Sequence, residues 1–200
     1  LQEGKWIATE LRTVCSMLDG KTIGLFGFGN IARFVAKRLA GFDVKIIYHS
    51  RRRIESEIEK QYRVEYVDFE TLLSQSDLLS LHAPLTPETR ELFNRTTFDK
   101  MKRGAILINT ARGELINEAD LVEALTSGQL SGAGLDTFSG EPPSASNPLF
   151  HLDQVVATPH SAGGVFDNVP NIVGHMFSNI KKFHQSIPLD ADDIIVAPPV

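Results

Sequence analysis

Apolar and polar positions alternate in blocks along this chain. Residues 22–27, TIGLFG, form a short apolar run with the length of a buried strand. Residues 30–40, NIARFVAKRLA, place Ile31, Phe34, Val35, Arg38 and Leu39 at helical spacing, and Gly41 follows as a stop. A second strand is expected over 44–48 and a short third one over 63–67. Asp68 is a candidate N-cap for a helix to about Ser74, and DLLSL at 77–81 is again strand-like. AILIN at 105–109 is a continuous apolar run, the pattern of a strand covered on both faces. A helix is expected from about Asn117 to Gly128, a residue suited to a C-terminal cap. GAGLDTF at 132–138 and QVVATPH at 154–160 predict the last two strands. The tail from about Val165 to His184 reads as helix, with Pro170 in its first turns.

This β-α-β-α rhythm predicts an α/β fold. Its expected form is a doubly wound parallel sheet with helices on both faces and right-handed crossovers. Residues 1–18 read as a linker or crossover helix entering the domain, 19–164 as the domain, and 165–200 as a C-terminal helix and return segment. The one long loop expected is GEPPSASNPLF, 140–150.

Composition narrows the classes. Two hundred residues suffice for one domain with a sizeable core. Twenty basic residues against twenty-five acidic ones give a net charge of −5, which argues against a nucleic-acid partner. The single cysteine, Cys15, excludes an internal disulfide and fits a reducing, cytoplasmic setting. No apolar run approaches the ~18 residues of a membrane span, and no signal peptide is visible at the start. Scattered histidines with one cysteine offer no metal-ligand spacing, so no metal is expected.

Gly27-Phe28-Gly29-Asn30-Ile31-Ala32 matches G-x-G-x-x-G/A between a strand and a helix. Gly27 suits the tight turn. Gly29 lets backbone approach a pyrophosphate, and Ala32 permits close helix–strand packing. The helix start, at Asn30 and Ile31, offers unpaired N–H groups to the phosphates. The competing reading is an ordinary glycine-rich turn. In a dinucleotide site that selects NAD, an acid about twenty residues on accepts from the ribose 2′-OH. Here that place holds His49, followed by Ser50, Arg51, Arg52 and Arg53. Ser50 can donate to a 2′-phosphate, and Arg51 or Arg52 can pair with it. Such a charge-assisted bond is worth about 1.5–3 kcal/mol, roughly ten- to a hundredfold in affinity. NADP is therefore the preferred cofactor, with NAD possible. A solvated basic loop leading into a helix with Glu55, Glu57 and Glu59 stays open as the alternative.

GKTIGLFGFGNIA, SLHAPLTPETREL, MKRGAILINTARGELINEADLVEALTSGQLSGAGLDTFSGEP and NPLFHLDQVVATPHSAGG together resemble the D-isomer-specific 2-hydroxyacid dehydrogenases. The likeness runs from Gly4-Lys5-Trp6 to about Gly164, and YHSRRR looks most like the NADP-dependent glyoxylate/hydroxypyruvate reductase branch. The resemblance implies a Rossmann-like cofactor domain and a catalytic trio at Arg112 of NTARG, Glu141 of the EP step and His160 of TPH. An imidazole titrates near neutrality and can protonate a forming alkoxide. A glutamate can hold the other ring nitrogen, and an arginine can grip the substrate carboxylate and polarise its keto oxygen. The resemblance also places Ala83, Pro84 and Thr89 along the cofactor, Thr110 and Ala111 near the nicotinamide, Asp136 on its carboxamide and Gly163 among the cofactor-binding residues. His82 is expected to border the cofactor without a catalytic role. The bland alternatives are a surface arginine, a loop carboxylate, a strand-end histidine and a capping aspartate.

Three departures bear on substrate rather than reaction class. Asn30 stands where the family often has arginine, Glu114 replaces a common glycine, and the tail GGVFDNVPNIVGHMFSNI differs in detail. The chain opens at Leu1 with LQEGKW, and most of the substrate domain expected of the family is absent from it. The expectation is thus a cofactor domain, inactive alone, from a homodimeric reductase of a small 2-keto acid. A non-catalytic dinucleotide sensor and a dehydrogenase for a larger 2-hydroxy acid are the alternatives.

Overall fold

The computed structural model describes residues 15–194. The first fourteen residues of the 1–18 segment and the end of the return segment, 195–200, lie outside the described residues. The chain divides after His160 into two compact units.

The first unit is built on a parallel sheet. Its strands are β1 (Thr22–Phe26), β2 (Lys45–His49), β3 (Val64–Tyr66), β4 (Leu78–Leu81), β5 (Ala105–Asn109), β6 (Leu130–Leu135) and β7 (Val155–Ala157). They lie in the order β3-β2-β1-β4-β5-β6-β7, all pairs parallel. Alternate strand residues serve two separate cores. Phe26, Ile47, Leu79, Leu81 and Leu107 join one apolar cluster, while Ile23, Leu25, Ile46 and Tyr48 join the other. Burial on both faces is why these strands read as unbroken apolar runs.

Helices α1 (Asn30–Leu39), α2 (Ser56–Tyr62), α3 (Phe69–Gln75), α4 (Arg95–Lys100) and α5 (Glu118–Thr126) connect the strands. Asp68 caps α3 by accepting from Thr71 N at 2.8 Å, and Asn117 caps α5 through Asp120 N at 3.1 Å. Gly128 follows α5 with φ +71°, a left-handed conformation that glycine adopts without steric cost. The short α4, capped by Asn94, is absent from the sequence expectation because six residues give too little periodicity.

The stripe on α1 is split by the structure. Val35 and Leu39 pack against the smaller core, whereas Ile31 and Phe34 are 66% and 59% exposed and Ala32 and Ala36 are fully buried. Alanines let the helix approach the strands closely, as a helix that begins at a glycine turn requires. The last strand is also shorter than read: it spans Val155–Ala157, and Thr158 N makes a further bond to Leu135 O.

The second unit carries a 3-10 turn, Phe166–Asn168, and helix α6, Val169–His184, with Pro170 in its first turn. Within it His175 Nε2 lies 2.8 Å from Asp193 Oδ1, and Lys182 pairs with Asp190. Among the described residues no helix is long and apolar enough to cross a membrane.

Candidate functional site

Every strand of a parallel sheet ends at the same edge, so residues just past the strands converge there. Strand order reverses at β1, which is flanked by β2 and β4 and leaves a crevice above its C-terminal end. Gly27 closes β1 with φ +92°. A Cβ there would lie 2.8 Å from Ala83 N and His82 C, so this glycine is demanded by the neighbouring strand end. Gly29 is different. Its φ of −81° is open to any residue, and a Cβ would meet nothing within 4 Å. Nothing in the chain itself requires glycine at 29. A phosphate brought against the start of α1, at Asn30 and Ile31, would fill the space that a Cβ would otherwise occupy. The residues present therefore fit a dinucleotide.

On the β2 side, His49 Nδ1 donates to Val67 O at 3.0 Å if that nitrogen carries the proton, and its ring stacks with Phe26 and Tyr66. Ser50 Oγ donates to Arg52 O at 2.6 Å, a local turn that uses the hydroxyl proton expected to serve a phosphate. Arg51 and Arg52 are exposed. Arg53 is committed elsewhere: its Nε and Nη2 reach Glu59 at 2.9 and 2.8 Å.

The β4 side supplies residues 82–89. Ala83 packs against the larger core and Pro84 is exposed. Thr89 Oγ1 donates to Pro84 O at 2.8 Å and accepts from Thr86 N, so it shapes the loop from within. The Thr86 hydroxyl holds the Glu88 carboxyl below its ordinary range, with a small contribution from Arg51 across the crevice. His82 has its Nε2 buried without a hydrogen-bond partner among the described residues, and burial pushes its pKa down to about 4.

The other end of the edge holds the remaining candidates. Asn109, fully buried at the end of β5, accepts from Ala111 N at 3.0 Å and donates to Arg112 O at 2.8 Å. It folds Thr110, Ala111 and Arg112 into a turn and leaves the Arg112 guanidinium exposed, with one N–H on Ala111 O. A Cβ on Gly113 would sit 1.9 Å from the Phe138 carbonyl carbon. Glycine at 113 thus brings the arginine turn against the 138–141 segment. Phe138 N donates to Glu141 Oε1 at 3.1 Å, and Glu141 Oε2 lies 2.7 Å from His160 Nδ1. The His160 contact, and then the Phe138 N–H, hold the Glu141 carboxyl below its ordinary value. His160 itself has φ +50°, a conformation that costs energy in a non-glycine residue. Its N–H bonds to Asp136 O at 2.9 Å. Asp136 is buried at the end of β6, with its carboxylate accepting from Thr158 Oγ1 at 2.5 Å.

A groove of about 680 Å³ opens beside this pair. His160 and Glu141 form part of its wall, and Phe138, Pro142, Pro143, Phe150 and Pro159 make the rest largely hydrocarbon. Gly163 falls in the second unit, in the turn where Gly164 N meets Ser161 O. The sequence reading missed Asn109 and Gly113. An asparagine ending an apolar strand is a recognisable Asx-turn signal, whereas the Gly113 contact joins residues far apart in the chain and leaves no local trace.

Fold and site together define a dinucleotide-binding α/β domain with an imidazole–carboxylate pair at the same sheet edge as the glycine turn. The family model described as D-isomer specific 2-hydroxyacid dehydrogenase, NAD binding domain, matches residues 1–162, and the chain belongs to that family. It is 48% identical over 162 residues to a hydroxypyruvate reductase of Thermotoga maritima, covering 80% of this chain and 51% of the relative. It is 50% identical over 143 residues to a glyoxylate reductase of Thermococcus litoralis, covering 72% and 43%. The structure of an NAD-dependent formate dehydrogenase from Staphylococcus aureus in complex with NAD superposes with a TM-score of 0.85 at 34% identity, covering 98% of this chain and 58% of that one. The chain spans about half the length of the relatives it matches.

Proposed function

We propose that this chain is the cofactor domain of an NADP(H)-preferring reductase of small 2-keto acids of the glyoxylate/hydroxypyruvate type. The observation that carries the reading is the 2.7 Å contact between Glu141 and His160 at the sheet edge that also holds Arg112 and the glycine turn. Bound there, the nicotinamide would supply the hydride that reduces the keto carbon. Gly27, Gly29, Asn30 and Ile31 would hold its pyrophosphate, with Ala83, Pro84, Thr89, Thr110, Ala111 and Asp136 along the remainder. Arg51 and Arg52 would meet a ribose 2′-phosphate, with Ser50 beside them holding the turn through Arg52 O. Arg112 binds the substrate carboxylate. His160 gives the proton on Nε2 to the developing alkoxide, while Glu141 keeps Nδ1 as a donor and fixes the ring. The names of the two relatives, hydroxypyruvate and glyoxylate reductase, support the substrate class. The chain alone binds cofactor and turns over slowly or not at all, and a homodimer belongs to the same reading. Sedimentation of a protein of the relatives' length tests the dimer.

The test is direct titration of the chain with NADPH and with NADH. Tighter NADPH binding that is lost in Arg51→Ala or Arg52→Ala supports the reading; equal or tighter NADH binding rejects the NADP preference. Turnover is tested on a protein of the relatives' length, where NADPH left unoxidised with any 2-keto acid would point to a dinucleotide sensor. The apolar groove favours a second reading within the class, a larger 2-hydroxy acid with an apolar substituent. Preference for phenylglyoxylate over glyoxylate in the same assay would select it.

A further inference from the structure

We propose that Tyr48, Arg53 and Glu59 are positioning residues for cofactor discrimination: together they fix the loop that presents Arg51 and Arg52 to a ribose 2′-phosphate. The inference rests on the NADP(H) reading above and adds residues that never touch the phosphate.

Three consecutive arginines look equivalent in the sequence, and the structure separates them. Arg53 makes a two-point pair with Glu59, and its guanidinium lies 5.7 Å from the Tyr66 ring centroid. Glu59, on α2, is only 8% exposed. Its Oε1 also accepts from the Tyr48 hydroxyl at 2.8 Å. The same hydroxyl accepts from Ile54 N at 3.1 Å. One buried phenol thereby joins the end of β2, the exit of the loop and the following helix. At the other end, the Ser50 hydroxyl donates to Arg52 O and closes a turn. Arg51 and Arg52 therefore lie between two fixed points. The Arg53 pair holds the Glu59 carboxyl below its ordinary range, so it stays ionised and keeps its grip across the working pH range.

Stability alone does not call for this arrangement, since Arg53 is largely exposed and an ion pair with one partner in solvent contributes little. An apolar side chain in place of Tyr48 would release Ile54 N, and one in place of Glu59 would release Arg53. Preorganisation matters most where long side chains must be immobilised by a ligand. A loop held in shape leaves less freedom to lose when the phosphate binds.

The experiment is calorimetric titration of the chain with NADPH and NADH for the wild type, Glu59→Gln, Tyr48→Phe and Arg51→Ala. Glu59→Gln and Tyr48→Phe are expected to weaken NADPH about tenfold, the loss of one well-held ionic contact, and to leave NADH within about twofold. Melting curves accompany each variant, and Tyr48→Phe removes a single oxygen should Glu59→Gln fold poorly. If Arg51→Ala lowers the NADPH-to-NADH ratio while Tyr48→Phe and Glu59→Gln leave it unchanged, the positioning role is wrong and the cofactor reading stands. A wild-type chain that does not favour NADPH overturns both.

Discussion

Glu141 Oε2 and His160 Nδ1 stand 2.7 Å apart, and each partner is fixed by a second contact independent of the other. Phe138 N holds the carboxylate through Oε1, and Asp136 O holds the His160 backbone. The pair is therefore set by the ends of β6 and β7 before any ligand arrives. Because His160 is the largest cause of the low Glu141 pKa, His160→Ala should raise it towards the ordinary 4.5, read by carbon NMR of that carboxyl. The sign for stability follows. A depressed carboxyl contributes stability above its unfolded value and loses it as pH falls through the folded one. His160→Ala should accordingly lose less stability than the wild type on acidification below about pH 4.5. An unchanged Glu141 titration in the variant would show that the contact is not maintained in solution.

Two glycines of the site should respond oppositely to the same substitution. Gly113→Ala would place a methyl 1.9 Å from the Phe138 carbonyl carbon, backbone that cannot step aside. It should cost about 3 kcal/mol or more by urea unfolding. Gly29→Ala meets nothing within 4 Å and has an ordinary φ, so its stability should stay within about 0.5 kcal/mol of wild type. Its affinity for NADH or NADPH should nevertheless fall at least about tenfold, because the methyl would take the space proposed for the pyrophosphate. Unaltered cofactor binding in Gly29→Ala would remove the pyrophosphate from the glycine turn.

The contrast also marks what the sequence made legible. Strands β1 and β5 and the helix caps Asp68 and Asn117 were readable because their signals are local: an apolar run, or one polar side chain at a helix start. The glycine turn was readable for the same reason. The burial of Ala32 and Ala36 instead of Ile31 and Phe34 was not, because a helix resting closely on a sheet selects small residues that a hydrophobicity pattern undervalues. Nor were the distinct fates of Arg51, Arg52 and Arg53, which depend on where Glu59 lies one helix later.

Asn109 should prove structural and functional at once. Its buried amide satisfies Ala111 N and Arg112 O, two backbone groups of the turn that carries the arginine. Asn109→Ala leaves both without that partner and should cost about 2–4 kcal/mol in urea unfolding. Asn109→Asp keeps the acceptor for Ala111 N but sets a carboxylate oxygen against Arg112 O, so it should be no better than Ala. Wild-type stability in both variants would mean that the turn is held by other contacts.

His82 should contribute to the acid side of the stability curve. It sits beside the glycine turn, its Nε2 buried without a partner among the described residues, and burial alone lowers its pKa from 6.5 to about 4. The unfolded chain protonates this ring near pH 6.5, whereas the folded chain resists until about pH 4. Between those values the unfolded state binds more protons, so stability rises with pH and falls on acidification. The full gap corresponds to about 3 kcal/mol, nearly all of it lost by pH 4. His82→Gln replaces the ring with a neutral amide and has no such proton to gain. Thermal melts from pH 7 to pH 4 should show a steeper decline for the wild type than for His82→Gln, with the two curves diverging below about pH 6.5. Carboxylates contribute equally to both proteins, so the difference isolates the imidazole. Parallel curves would show that His82 takes up its proton in the folded chain as readily as in the unfolded one, and hence that its nitrogen reaches solvent.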